Sequence, residues 1–125
     1  MARMRFYALW IALICIILFI LQNSIEGFTE LLLLNQARWF EIWRFITSIF
    51  IHASVGHLLY NMFALVLFGL ILEKVVSSKK FLLVFFITGI FANIIAINFY
   101  PRSLGASGAI YGLIGLLAII KPKMG

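Results

Sequence analysis

Four long apolar runs constrain the fold of this chain more than any other feature of its sequence. They cover residues 6–21, 55–72, 81–99 and 107–120. Runs of this kind are typical of transmembrane helices, because lipid offers the backbone no hydrogen-bond partners and a helix satisfies them internally. We therefore predict an all-α fold, a polytopic membrane helix bundle with four transmembrane helices.

The composition supports a membrane protein and excludes other classes. Hydrophobic residues make up 65% of the chain and charged residues 11%, whereas soluble domains have roughly 45–50% and 25%. A soluble enzyme is excluded, and so is a disordered tail, which needs low hydrophobicity. With no repeat and no linker-like stretch, residues 1–125 are predicted to form a single membrane domain.

The basic residues indicate how the spans are oriented. The formal net charge is +6, but the cations lie between the apolar runs, so we expect no nucleic-acid partner. If the N-terminus is cytoplasmic, the inside segments hold seven cations: Arg3, Arg5, Lys74, Lys79, Lys80, Lys121 and Lys123. The outside segments then hold three: Arg38, Arg44 and Arg102. This asymmetry predicts a multi-pass protein with both ends in the cytoplasm.

The first run also has features of a signal peptide, since a basic start precedes an apolar core. No Ala-x-Ala-like cleavage site follows it, and further spans come after it, so an uncleaved first helix is favoured. Cys15 lies within this run. A single cysteine forms neither an internal disulfide nor a cysteine-rich metal site, and we interpret it as a small core or lipid-facing residue.

The connection between the first two runs, residues 22–54, is long and rich in aromatic residues. Trp39, Trp43, Ile46 and Phe50 recur at steps of four, three and four residues, which predicts an amphipathic helix lying in the outer membrane interface. The alternative is a simple aromatic belt beside the second span. The sequence does not decide between the two.

The fourth run is too short to cross a bilayer alone. Its fourteen residues extend about 21 Å as a helix, whereas the hydrocarbon core is about 30 Å thick. The preceding residues 100–106 are therefore expected to be irregular and to dip into the membrane, which requires a water-accessible cavity with Ser107 at its floor. Counted from the inner ends of their helices, His57, Asn61 and Ser107 lie at similar depths of about 23, 17 and 20 Å.

This set of polar residues suits serine-nucleophile chemistry. Ser107 is expected at a helix N-terminus, where free N–H groups favour the negative charge that develops when a serine attacks an amide carbonyl. His57 and Asn61 are four residues apart on one helix face and are suitable donors for an oxyanion hole. Gly105, Ala106 and Gly108 would let a substrate backbone approach closely. Tyr111, one turn after Ser107, could hold an imidazole.

Simpler interpretations of the same residues stay open. Ser107 can be only a helix N-cap, and Gly108-x-x-x-Gly112 only a close-packing face. His57 and Asn61 can be hydrogen-bond links between helices. Asn93, at a similar depth, is interpreted as such a link.

Taken together and in this order, the motifs resemble those of the rhomboid family of intramembrane serine proteases. They are Trp43-Arg44, His52, His57-x-x-x-Asn61, Glu73-Lys74, Gly105-Ala106-Ser107-Gly108 and Tyr111. The resemblance implies a six-span core with Ser107 as nucleophile, and an oxyanion hole of His57, Asn61 and backbone N–H groups. It also implies single-pass membrane proteins as substrates, cut near the outer interface, and no metal or organic cofactor.

The chain departs from the family pattern in one respect. The family's general base is a His in an Ala-His-x-x-Gly pattern on the sixth span, whereas the histidines here are His52 and His57. We expect His52 at or above the outer surface. The resemblance therefore implies four of six spans, a chain truncated after the fourth, and no activity for residues 1–125 alone. The alternative is a non-catalytic rhomboid-like protein that binds transmembrane clients. A channel or transporter is disfavoured because the span interiors carry no charge.

Overall fold

Helices account for most of the computed structural model, which describes residues 3–124 and the side chains of residues 3–120. In these residues the α-helices are α1 (Tyr7–Ser24), α2 (Phe28–Leu32), α3 (Arg44–Thr47), α4 (Val55–Val76), α5 (Ser78–Ala96) and α6 (Ser107–Met124). Three of them, α1, α4 and α5, are long and apolar enough to cross a membrane. The helical membrane bundle is thus confirmed. The apolar part of α6, Ser107–Ile120, is shorter, and a fourth span stays a prediction.

The connection from α1 to α4 does not form the single amphipathic helix that the aromatic spacing suggested. Helical backbone in its second half is limited to α3 and the 3₁₀ turn Ser48–Phe50 that follows it. The Trp39 side chain is 65% exposed, whereas Arg44, which lies off the aromatic stripe, is buried. The prediction is wrong because this segment turns a polar side chain inward, where it binds backbone carbonyls, and leaves aromatic rings outside.

Two short strands join this connection to the segment before α6. Strand β1 (Leu34–Asn35) pairs antiparallel with β2 (Arg102–Ser103). The rest of residues 97–106 is turn, bend or irregular chain, largely as expected for the stretch that precedes Ser107. The pairing ties these two segments together on the side of the bundle where the candidate site lies.

Helix α6 packs closely on α5 through glycines. A Cβ atom at Gly108 would lie 2.5 Å from the Cβ of Ala92, and one at Gly112 would overlap the Thr88 side chain. The close-packing interpretation of Gly108-x-x-x-Gly112 is therefore confirmed. The surrounding core is formed by α1, α4, α5 and α6, and Cys15 is buried within it.

The opposite end of the bundle is held by a buried carboxylate. Glu73, near the end of α4, accepts the N–H groups of Tyr7 at 2.8 Å and Ala8 at 3.1 Å. It also accepts the Ser78 hydroxyl at 2.6 Å. A negative charge at the N-terminus of α1 satisfies free donors and interacts favourably with the helix dipole. This contact fixes α1 against α4 and α5.

Candidate active site

The first turns of α4 present two polar side chains toward the segment before α6. Ser54 precedes α4, and its Oγ accepts the His57 N–H at 3.1 Å, which caps the helix. Asn61 lies one turn beyond His57 and is only 4% exposed. The capped start and the four-residue spacing place both side chains on the face that meets the loop before α6.

The loop before Ser107 is held by its backbone N–H groups. The Gly105 N–H donates to the Ser48 carbonyl at 2.8 Å, and the Ala106 N–H donates to Nε2 of His52 at 3.4 Å. Gly105 has a φ of +111°, and a Cβ atom there would lie 2.7 Å from Cε1 of His57. Both the backbone conformation and the close approach of the imidazole therefore require glycine at this position.

Ser107 and Asn61 are brought together across the two helices. The Ser107 hydroxyl donates to Oδ1 of Asn61 at 3.3 Å. The other end of the same amide, Nδ2, is buried and has no hydrogen-bond partner among the described residues. A buried donor without a partner costs about 1–3 kcal/mol. An unoccupied amide donor beside a serine hydroxyl is the arrangement that an oxyanion site uses.

His57 is arranged as a hydrogen-bond donor. Its Nδ1 accepts the Ala53 N–H at 3.4 Å, so the neutral ring carries its proton on Nε2. The Nε2 side of the ring faces Gly105, where a built Cβ atom would lie 3.0 Å away. A second donor is therefore directed toward the loop that precedes Ser107.

His52 lies in the connection that precedes α4 and is only 1% exposed; its level relative to the membrane surface stays a prediction. Its ring meets the His57 ring edge to face, with centroids 5.0 Å apart. Burial, and next the proximity of His57, lower the pKa of His52 to about 4; the nearby Phe50 backbone opposes this shift. Because Nδ1 makes no well-formed hydrogen bond, that opposition is weak, and the ring is neutral at pH 7.

The His52 backbone is fixed by α1. Gln22 donates its amide to the His52 carbonyl at 2.8 Å, and its Oε1 accepts the His52 N–H at 3.0 Å. The sequence patterns assigned Gln22 no role and His52 no contact with the Ser107 loop. The one available signal was a pair of histidines five residues apart in a chain that has only two.

Further polar contacts hold the connection between α1 and α4 in place. Arg44 donates from Nη1 to the carbonyls of Glu30 at 2.7 Å and Leu33 at 2.8 Å, and from Nε to Glu41 at 2.8 Å. Asn93 donates to the Phe45 carbonyl at 2.8 Å and to Oγ of Ser48 at 3.0 Å. The prediction that Asn93 links helices is confirmed. Ser48, which also binds Gly105, therefore connects α5 to the Ser107 loop.

The remaining predicted site residues differ in their surroundings. Ala106 is buried, and Gly108 packs against α5 rather than lining the space beside Ser107. The Tyr111 side chain is 71% exposed, and its role in holding an imidazole stays a prediction. Among the described residues, no group of three or more His, Cys, Asp or Glu side chains could hold a metal ion.

Comparison with known proteins bears on this arrangement. The rhomboid domain model matches residues 40–124. The chain is 34% identical over 121 residues to Rhomboid-like protease 3 of Toxoplasma gondii, covering 87% of this chain and 46% of that protein. It is 38% identical over 95 residues to Rhomboid protease GluP of Bacillus subtilis (strain 168), covering 75% and 18%.

A relative named as inactive is also similar. The chain is 30% identical over 79 residues to Inactive RHOMBOID-like protein 8 of Arabidopsis thaliana, covering 62% of this chain and 22% of that protein. The chain thus spans less than half the length of these three relatives.

Proposed function

Because the chain belongs to the rhomboid family, we propose that it carries the nucleophile and oxyanion site of an intramembrane serine endopeptidase. Its substrates would be single-pass membrane proteins cut near the outer interface. The observation that carries this proposal is the Asn61 side chain, which accepts the Ser107 hydroxyl through Oδ1, while its buried Nδ2 donor has no partner among the described residues.

In the proposed reaction, Oγ of Ser107 attacks the carbonyl carbon of the scissile peptide bond and gives its proton to a general base. The carbonyl oxygen becomes an oxyanion that accepts hydrogen bonds from Nδ2 of Asn61, Nε2 of His57 and the Ser107 N–H. The C–N bond then breaks, and the leaving amine takes the proton from the base. Water hydrolyses the ester formed on Ser107 and completes the cycle.

The general base is proposed to come from outside residues 1–125. Both histidines already accept backbone N–H groups, His57 from Ala53 and His52 from Ala106. Neither accepts the Ser107 hydroxyl, which donates to Asn61. The family resemblance places the base in an Ala-His-x-x-Gly pattern on a sixth span, so residues 1–125 alone are expected to be inactive.

The proposal includes the membrane arrangement. Both chain ends would lie in the cytoplasm, α6 would be a fourth span, and the Ser107 end of the bundle would face outward. The distribution of Lys and Arg supports this orientation. The transmembrane substrate would reach Ser107 from the surrounding bilayer.

A second candidate is a non-catalytic rhomboid-like protein that binds transmembrane clients. Two observations favour it: both histidines are engaged by backbone groups, and one similar relative is named as inactive. In this case the Ser107–Asn61 pair would only link α4 to α6.

Labelling with a fluorophosphonate probe, which reacts with activated serines, separates the two candidates. The purified chain is tested alone and after co-expression with a segment carrying two further spans and an Ala-His-x-x-Gly pattern, each with Ser107→Ala as the control. We expect Ser107-dependent labelling only with the added segment, because separately inserted helices associate by packing. No labelling of an assembled complex would favour the non-catalytic candidate. Strong labelling of the chain alone would show that His52 or His57 acts as base.

A further inference from the structure

A cavity of about 550 Å³ lies at the end of the bundle opposite Ser107. It forms where the N-terminal segment before α1 meets the start of α5. Its lining residues are Arg3, Arg5, Tyr7, Ser77, Ser78, Lys79 and Leu82. The proposed protease chemistry uses none of them.

Three of the lining side chains are cations without an acidic partner. Arg3, Arg5 and Lys79 form no salt bridge within the described part of the chain, where the paired arginines are Arg38, Arg44 and Arg102. The carboxylate of Glu73 lies near this end of the bundle. It is buried and engaged by two N–H groups of α1 and by the Ser78 hydroxyl. The cavity therefore concentrates uncompensated positive charge.

The backbone at the cavity wall is held by hydrogen bonds. The Arg5 N–H donates to Oγ of Ser78 at 2.8 Å, and that hydroxyl donates to Glu73. Ser77 caps α5 by accepting the Lys80 N–H at 3.1 Å. The first N–H groups of a helix have no intrahelical acceptor and favour an anion. Ser78 and Lys79, in this first turn of α5, line the cavity together with Arg3 and Arg5, so a helix start and cationic side chains lie at the same cavity.

The position of the cavity selects the kind of anion. Helix α1 begins at Tyr7, α4 ends at Val76 and α5 begins at Ser78, so three membrane-length helices end at this level. Lipid phosphates lie at such a boundary. Tyr7 and Leu82 add an apolar wall on the side of the helices, which a free phosphate ion does not need and a lipid does.

We propose that this cavity binds the phosphate group of an anionic phospholipid. Arg3, Arg5 and Lys79 would contact the phosphate, with the start of α5 beside it, while Leu82 and Tyr7 would pack against the glycerol and the first acyl carbons. The lipid would brace the N-terminal segment against α5. The proposal is independent of the catalytic role of Ser107.

Native mass spectrometry of the detergent-purified protein tests the proposal. Short-chain phosphatidylglycerol is titrated against the protein, with phosphatidylcholine and inorganic phosphate as separate arms. A cation near an anionic lipid contributes roughly fivefold in affinity, so Arg3→Gln/Arg5→Gln should weaken phosphatidylglycerol binding about 30-fold. Lys79→Gln, on a different element, should weaken it about fivefold.

The matched control is Arg38→Gln/Arg102→Gln, which removes two arginine charges from the opposite end of the bundle. It should leave phosphatidylglycerol binding unchanged. An equal loss in this control would overturn the proposal, because binding would then follow net charge alone. If phosphatidylcholine binds as tightly as phosphatidylglycerol, the proposal is also overturned. If inorganic phosphate at millimolar concentration displaces phosphatidylglycerol and the cavity shows no preference for the lipid, a free phosphate ion and not a lipid is the ligand.

Discussion

His52 should be the residue whose replacement most clearly separates support of the Ser107 loop from general packing. Its backbone is held by Gln22, and any substitution keeps those two bonds. Its side chain supplies one acceptor, Nε2, to the Ala106 N–H. Ala106 is fully buried, so water cannot replace that acceptor when the imidazole is removed.

The magnitude of the effect follows from this geometry. In His52→Leu the Ala106 N–H stays buried and loses its partner, which costs about 1–3 kcal/mol of unfolding free energy. In His52→Gln the side-chain carbonyl can still accept the N–H, so we expect most of this loss to be recovered. The recovery distinguishes the lost hydrogen bond from a change in packed volume.

The pH dependence gives an independent signature of His52. The pKa of His52 in the folded chain is about 4, below the ordinary value of 6.5. Between pH 6.5 and 4 the imidazole is therefore protonated in the unfolded chain and neutral in the folded chain. Stability from the neutral ring is therefore complete above pH 6.5 and is lost as the pH falls toward 4. At pH 5 the loss amounts to at most about 2 kcal/mol.

The assay is denaturant unfolding in detergent at pH 7.5 and pH 5, with the wild-type chain, His52→Leu and His52→Gln. We expect His52→Leu to be least stable at pH 7.5 and His52→Gln to lose less stability than the wild type on acidification. If the unfolding free energy of His52→Leu equals that of the wild type at pH 7.5, the hydrogen bond to Ala106 does not contribute to stability. If His52→Gln keeps the full pH dependence, another group is titrating.

Three further predictions follow from the same contacts. In the chain assembled with the added spans, Ser107→Ala should abolish probe labelling without unfolding the protein, and Asn61→Ala should slow cleavage by ~10–1000-fold. Gly105→Ala should destabilise by about 1–3 kcal/mol in thermal unfolding, because its φ is +111° and the new Cβ would meet an imidazole ring; the control is Gly115→Ala, inside helix α6 with nothing within 4 Å of the new Cβ, which should not destabilise because Ala favours a helix more than Gly does. In a cysteine-free background, Lys79→Cys should react with an impermeant maleimide only from the cytoplasmic side, and labelling from outside would reverse the proposed orientation.

The helices were predictable because their signal is local. The apolar runs predicted α1, α4 and α5. The end of α4 and the start of α5 lie a few residues beyond the ends of the runs. Helix α4 continues past Glu73 to Val76 because the carboxylate finds its partners inside the bundle, on α1 and Ser78. Helix α5 begins at Ser78 because Ser77 caps it. Neither the hydrogen-bond partners of Glu73 nor the cap at Ser77 can be inferred from hydrophobic periodicity.

The candidate site was predictable to the extent that it depends on spacing and depth. The four-residue interval between His57 and Asn61, and the depth they share with Ser107, anticipated the contact between Asn61 and Ser107. The role of His52 was not accessible. It depends on contacts with Gln22, 30 residues away, and with Ala106, 54 residues away, and no local pattern records such contacts.

The distribution of hydrogen bonds around the loop explains why the Asn61 amide donor is left over. The Gly105 and Ala106 N–H groups both donate to the connection between α1 and α4, at Ser48 and His52. These bonds hold Ser107 close enough to occupy Oδ1 of Asn61, and they bring the buried Nδ2 to a place where the described chain offers it no acceptor. A buried donor of this kind costs about 1–3 kcal/mol, so its retention depends on the surrounding contacts that hold the loop in place. The loop is therefore stabilised from one side, while its other side keeps a donor ready for a substrate oxygen.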